Sequence, residues 1–260
     1  MNGIIAELEG LLGLAEGLAW AVALAFVRTG AVAALLPGAG ETSVPQRIKL
    51  GLVLAFTLVV APILAERLAA AGQVPSLAAL GGEAIAGLLL GIGMRLFIVA
   101  LQTAAAIIAQ ATTLSQLVGG AAPEPQPAIG NLFFIAGTVL AMVAGLHVRA
   151  AELMLLSYDI LPAGGYPSSS DAAEWSLALV SQTFALAFTL SAPFVITSVI
   201  YNVALGAINR AMPTLMVSMV GAPALTLGAL AMLAVATPFI LAAWLEAFNA
   251  YLAQPFGIAP

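Results

Sequence analysis

Few side chains in this 260-residue sequence have the type and spacing to do chemistry. The single histidine, His147, sits in GLHVRAAE. It could relay a proton or bind a metal, but a metal site needs further nitrogen or sulfur ligands and there is no cysteine. It is read as a polar residue at a helix–helix contact. Asp159 and Asp171 flank a loop without a positioned base, and nucleophile-elbow, zinc-protease and phosphate-loop motifs are absent, so no catalytic constellation is expected. Charges inside apolar stretches are costly and therefore informative. Arg28, Arg95, Arg149 and Glu152 are of this kind. Arg149 and Glu152, spaced i, i+3, share a helix face and are expected to neutralise each other. Glu83 is expected to pair with Arg28 or Arg95, and the sequence leaves both open. Structural pairing or snorkelling is favoured over a role in translocation. Met212, Met216 and Met219 recur at helical spacing and read as buried core, or as a soft, deformable constriction.

The elements that must position these residues are membrane helices. Hydrophobic residues make up 62% of the chain and charged residues 7%, against roughly a quarter charged in soluble domains. Such a chain cannot cover itself against water, so lipid or a protein partner must cover it. Apolar runs occur at about residues 11–37, 48–64, 77–117, 129–161, 174–205 and 215–252. None shows strand-like alternation, and backbone in lipid must satisfy itself internally, so each is expected to be helical. The expected architecture is an all-α integral membrane protein, one membrane-embedded domain over residues 1–260 with about six long hydrophobic helices. The third and fourth runs exceed the ~20 residues that one crossing needs. They are expected to tilt, kink or divide into half-helices, and hairpins that do not fully span stay open as an alternative. Gly91 and Gly93, Pro193 and Pro238 mark candidate kinks in the third, fifth and sixth runs.

Loops are short. Residues 38–47 (GAGETSVPQR) form a polar turn, 115–127 (SQLVGGAAPEPQP) cannot be helical throughout, 162–171 (PAGGYPSSSD) read as an ordinary surface loop, and 209–213 (NRAMP) as a tight turn. Arg47, Lys49 and Arg210 place the first and fifth loops in the cytoplasm, with Arg67 opposing. Glu7 and Glu9, without a nearby base, argue against a cleaved secretory signal at the N-terminus. The net charge of −5 argues against nucleic acid as a partner. GLAEG (13–17) and GLLLG (87–91) fit close small-residue helix packing.

Two segments carry a family resemblance. Arg28, the Pro37–Gly38 turn and the Val44–Pro45–x–Arg47 step, with Lys49 near a second base, resemble the first hairpin of the FliR family, called SctT in injectisomes. Leu205, Gly206, Asn209, Arg210, Pro213 and Pro223 resemble that family's C-terminal signature, and GLHVRA its middle-helix Gly–His step. The resemblance covers most of the chain. It implies a non-enzymatic, cofactor-free subunit of the type III export gate in the bacterial inner membrane, in the flagellar basal body or an injectisome. Kinked helical hairpins would pack with FliP-type and FliQ-type subunits in a helical assembly, near FlhB- and FlhA-type proteins, around a path for unfolded flagellar or effector polypeptides. It also implies a pore-closing loop at 115–127. No aromatic lies between Leu117 and Pro127, so closure would rest on close backbone approach at Gly119 and Gly120, with Pro123 shaping the loop. Met212 and Met216 are further candidates for the constriction. Arg28, Pro37, Gly38, Pro45, Arg47, Asn209, Arg210, Pro213 and Pro223 would be structural or orienting. The competing reading is a secondary transporter of a small solute, which suits broken helices and buried charges. It would show an internal repeat, and no convincing one is visible.

Overall fold

The computed structural model describes residues 2–71, 76–113, 128–211 and 217–257. The described residues form seven α-helices and no strand: α1 (Asn2–Leu35), α2 (Gln46–Ala71), α3 (Leu77–Thr113), α4 (Ala128–Val143), α5 (Leu146–Ile160), α6 (Ser169–Ala211) and α7 (Val217–Ala253). The chain is an all-α integral membrane protein. Among the described residues five helices are long and apolar enough to cross a bilayer, within α1, α2, α3, α6 and α7.

The helix ends follow from local chemistry. Pro45 has no N–H to lose at a helix start, and its carbonyl accepts from the Ile48 and Lys49 amides at 3.0 and 3.3 Å, opening α2. Ser168 opens α6: its carbonyl accepts from Ala172, and Asp171 adds a carboxylate to the first turn, where the helix dipole favours it. Gly38 takes φ 83°, so the expected Pro37–Gly38 turn forms and ends the α1 segment.

The fourth apolar run divides into half-helices, one of the outcomes expected of it: it is two helices, α4 and α5, broken at Gly145, whose φ of 85° no continuing helix adopts. At 16 and 15 residues, each half is only about 24 Å long or less, short of the bilayer core. The helix is conversely continuous through Gly91 and Gly93 in α3, and the 43-residue α6 continues through Pro193. Around that proline the polar side chains of α6 are satisfied by its own backbone. Thr189, Ser191 and Thr197 donate to the carbonyls four residues back at 2.8, 2.9 and 2.8 Å, and Asn202 to that of Ser198 at 2.8 Å. An apolar helix thus carries hydroxyls whose hydrogen bonds its own backbone takes up.

The described chain packs as two units. The first comprises residues 1–95, 142–179 and 252–260; the second comprises 96–141 and 180–251. In the first, α1 and α2 form an antiparallel hairpin in which Thr29 and Thr57 share a buried hydrogen bond of 3.0 Å. α3 runs parallel to α1, because Gly87 lies against Arg28 and Ala31, and Gly91 against Val32 and Leu35. A Cβ on Gly87 would stand 2.5 Å from the Arg28 carbonyl oxygen, so only glycine permits this approach. The small-residue reading of 87–91 therefore holds. At Gly13 and Gly17 nothing among the described residues lies within 4 Å of an added Cβ, so that motif makes no packing contact among them. In the second unit, α3, α4 and α7 pack around Phe97, with Trp244, Phe248 and Tyr251 from α7 and Gly137 from α4 beside Ile98 and Leu101.

Candidate functional site

The chemically densest place in the molecule is the first unit's polar centre, built on Arg28. α1 is apolar on the face that carries it: Ala21, Leu24, Ala25 and Val32 are buried, and Arg28 among them is 0% exposed. A guanidinium in that setting needs every donor satisfied. Glu83, one turn before Gly87 on the parallel α3, supplies the counter-charge and is also 0% exposed. Arg28 Nε donates to Glu83 Oε2 at 2.7 Å and Nη2 to Oε1 at 3.2 Å, a bidentate pair. Nη1 donates to Ser157 Oγ of α5 at 2.8 Å, and Nη2 also to the Leu161 carbonyl just past α5 at 3.0 Å. The guanidinium carbon lies 3.7 Å from the Tyr158 ring centroid. Glu83 is equally occupied. Tyr158 Oη donates to its Oε2 at 3.1 Å and the Gly164 amide to its Oε1 at 2.8 Å.

The turn after α5 completes the site. Gly164 has φ 72°, which a side chain disfavours, and an added Cβ there would meet Ala79 at 2.7 Å. From the other side, a Cβ on Gly82 would meet the Gly165 carbonyl oxygen at 2.5 Å. Two glycine pairs, Gly81–Gly82 and Gly164–Gly165, thus bring the turn down on the first turns of α3, and Tyr166 Oη donates to the Ala78 carbonyl at 2.8 Å. The expectation that 162–171 is an ordinary surface loop fails for its first half, which is packed against α3.

Chemically the centre is closed. One cation meets one anion, and neither charged group is reachable from outside, so it binds no passing polypeptide and transfers no proton to one. It positions α1, α3, α5 and the following turn. Structural pairing is therefore what the buried Arg28 and Glu83 do. The choice left open between Arg28 and Arg95 falls to Arg28. Glu83 and Arg95 share one helix twelve residues apart, about 18 Å along the axis. Arg95 instead forms an ion pair with Glu41 of the first loop, and Lys49 donates to the Gly40 carbonyl at 3.0 Å. The first contact holds that loop on α3 and the second on the start of α2, with Pro45 and Arg47 exposed.

The remaining candidates are dispersed. Arg149 and Glu152 form no ion pair, although they share a face: Glu152 is exposed, Arg149 half-buried, and both edge an open pocket with Val148 and Leu252. His147 is exposed, and among the described residues no group of three or more His, Asp or Glu side chains could hold a metal. Arg210 is exposed at the end of α6. Gly119, Gly120, Pro123, Met212, Pro213 and Met216 lie outside the described residues, as do the side chains of Asn209, Met219 and Pro223.

The sequence reading missed Glu41, Ser157, Tyr158 and the two glycine pairs. The paired glycines before Glu83 and after Pro162 were the available signal, since adjacent glycines in an apolar chain mark close backbone approach.

Comparison with known proteins bears on what this scaffold serves. The chain matches the model of the bacterial export proteins, family 1, over residues 19–251. It is 32% identical over 240 residues to the flagellar biosynthetic protein FliR of Caulobacter vibrioides, covering 90% of this chain and 94% of that protein. It is 28% identical over 229 residues to the flagellar biosynthetic protein FliR of Escherichia coli K12, covering 86% and 88%.

The chain belongs to the FliR family of bacterial export proteins.

The family match takes in the whole FliR-family scaffold described above: Arg28, Glu83, Ser157, Gly164 and the Phe97–Trp244 cluster all fall inside residues 19–251. It also takes in the loop at 115–127 and the Met212–Met216 segment.

Proposed function

We propose that this protein is a non-enzymatic core subunit of the flagellar type III export gate in the bacterial inner membrane, at the flagellar basal body. Together with FliP-type and FliQ-type subunits, and beside FlhB- and FlhA-type proteins, it forms the channel through which unfolded flagellar proteins leave the cytoplasm. The observation that carries this reading is the match to an export family over residues 19–251, joined to flagellar relatives covering about nine-tenths of the chain. The surface supports it. α6 exposes Phe188, Ile200 and Val203 by 61, 65 and 68%, and apolar area of that size needs lipid or partner helices over it. Within the channel, Gly119, Gly120 and Pro123 form the closing loop and Met212 and Met216 a soft constriction, which excludes ions by steric closure and dewetting. Arg47 and Arg210 orient the chain or contact partners.

Co-expression of the tagged chain with the neighbouring FliP- and FliQ-type genes, mild-detergent extraction and native mass spectrometry test the assembly. A discrete hetero-oligomer is the expected result. A solitary chain that ignores those partners returns the weight to a small-solute transporter. Deleting residues 119–123 tests the closing loop: ion leak across the cell membrane should rise, and unchanged conductance removes the loop from the gate.

A further inference from the structure

Among the described residues, the hydrogen bonds that α5 and its following turn make to a buried side chain elsewhere in the first unit all end on one ion pair. Ser157 Oγ and the Leu161 carbonyl accept from Arg28, and Tyr158 Oη and the Gly164 amide donate to Glu83. Apolar packing seats α5 itself through Leu146, Leu153 and Met154, but the turn that follows presents only Gly164, Gly165 and Tyr166 to Ala79, Gly82 and Gly81 of α3. The other polar ties of this region are the exposed Arg67–Asp159 pair and the exposed Tyr166–Ala78 bond, which water weakens. Without the pair, the Leu161 carbonyl and Gly164 amide would be pressed onto α3 with no partner, and an unsatisfied backbone group away from water is strongly disfavoured.

We propose that Arg28 and Glu83 form a latch internal to this chain: the turn 161–166 closes onto α3 only when α1 and α3 have paired, so the seating of that turn is conditional on the ion pair. The two halves of the latch come from segments 55 residues apart, and the turn arrives 81 residues after Glu83. Synthesis order therefore matches closure order: α1, then α3, then the turn. A charge that is costly alone in an apolar helix acquires a use, because α1 and α3 each carry an uncompensated charge until they meet. The proposal rests on contacts within the chain and does not depend on the export reading.

The absence of native cysteine gives a clean test in the full-length chain in membrane vesicles. Ala78→Cys with Tyr166→Cys reports the closed turn through a short bifunctional thiol reagent. Gly30→Cys with Val53→Cys reports the α1–α2 hairpin, where an added Cβ at Gly30 lies 3.8 Å from Val53 Cγ1. In the otherwise unchanged chain both pairs should cross-link. Arg28→Met should lower the closed-to-open ratio of the 78–166 pair at least about a hundredfold, the scale of breaking a buried pair, and leave the 30–53 pair intact. Arg28→Met with Glu83→Leu removes both charges; the 30–53 pair should again cross-link and the 78–166 pair should stay open. The latch is overturned by a 78–166 pair that fails to form in the unchanged chain, persists in Arg28→Met or returns in the double variant. Loss of both pairs in Arg28→Met also overturns it, since the centre would then be a general folding requirement.

Discussion

The two units hold their helices together in opposite ways. In the first, four elements meet on Arg28 and Glu83, and six hydrogen bonds run from that pair to one another, to α5 and to the turn. In the second, α3 and α7 meet on aromatic rings: Phe97 lies 5.4 Å from Phe248 and 5.0 Å from Tyr251, and Trp244 stacks on Phe248 at 5.3 Å. A single buried side-chain bond joins those rings to backbone, Trp244 Nε1 to the Phe97 carbonyl at 2.7 Å. The aromatic centre tolerates small shifts because its contacts fall off smoothly with distance. The ionic centre does not, because each missing partner leaves a buried group unsatisfied. The first unit is thus specified by geometry and the second by shape and volume.

That contrast can be broken most forcefully at Arg28. Replacing it with Met strands the buried Glu83 carboxylate and should cost about 3–5 kcal/mol of stability, measured by thermal unfolding in detergent. Removing both charges, Arg28→Met with Glu83→Leu, should recover at least half of that loss. A double variant as unstable as the single one would show that the pair contributes net stability and not only specificity. In the second unit Trp244→Phe removes the bond to the Phe97 carbonyl and part of a fully buried ring. It should cost about 1–3 kcal/mol in the same assay, and a loss larger than at Arg28 would reverse the contrast between the two units. The smallest effect belongs to the rim of the first unit. Arg67 and Asp159 pair at 2.6 Å with side chains 44 and 56% exposed, so Arg67→Ala should change stability by about 0–1 kcal/mol. A larger loss would mean that α5 is seated from its exposed side as well as from the buried pair.

Much of the architecture was legible before any coordinates. Long apolar runs without strand periodicity gave the helices, the family resemblance gave the Pro37–Gly38 turn, and the close contact at Gly87–Gly91 followed from what small residues permit. The break at Gly145 was not legible, because a lone glycine inside an apolar run reads the same whether the helix continues or stops. Gly91 shows the converse: there the missing Cβ serves packing against α1, and the helix goes on. Of the polar centre, Arg28 and Glu83 stood out as charges in apolar surroundings. Their partners Ser157 and Tyr158 did not, since a serine and a tyrosine near a helix end carry no mark of burial.

The sequence alone determined that the chain lives in a membrane, that it is helical, and that it carries the FliR-family signatures in order, because these depend on composition and local spacing. Only the tertiary structure decided which arginine meets Glu83, and that a glycine turn more than eighty residues later reaches the same carboxylate. Charge pairing in a buried setting is fixed by distance and by the count of satisfied donors and acceptors, and neither exists until helices far apart in sequence have packed.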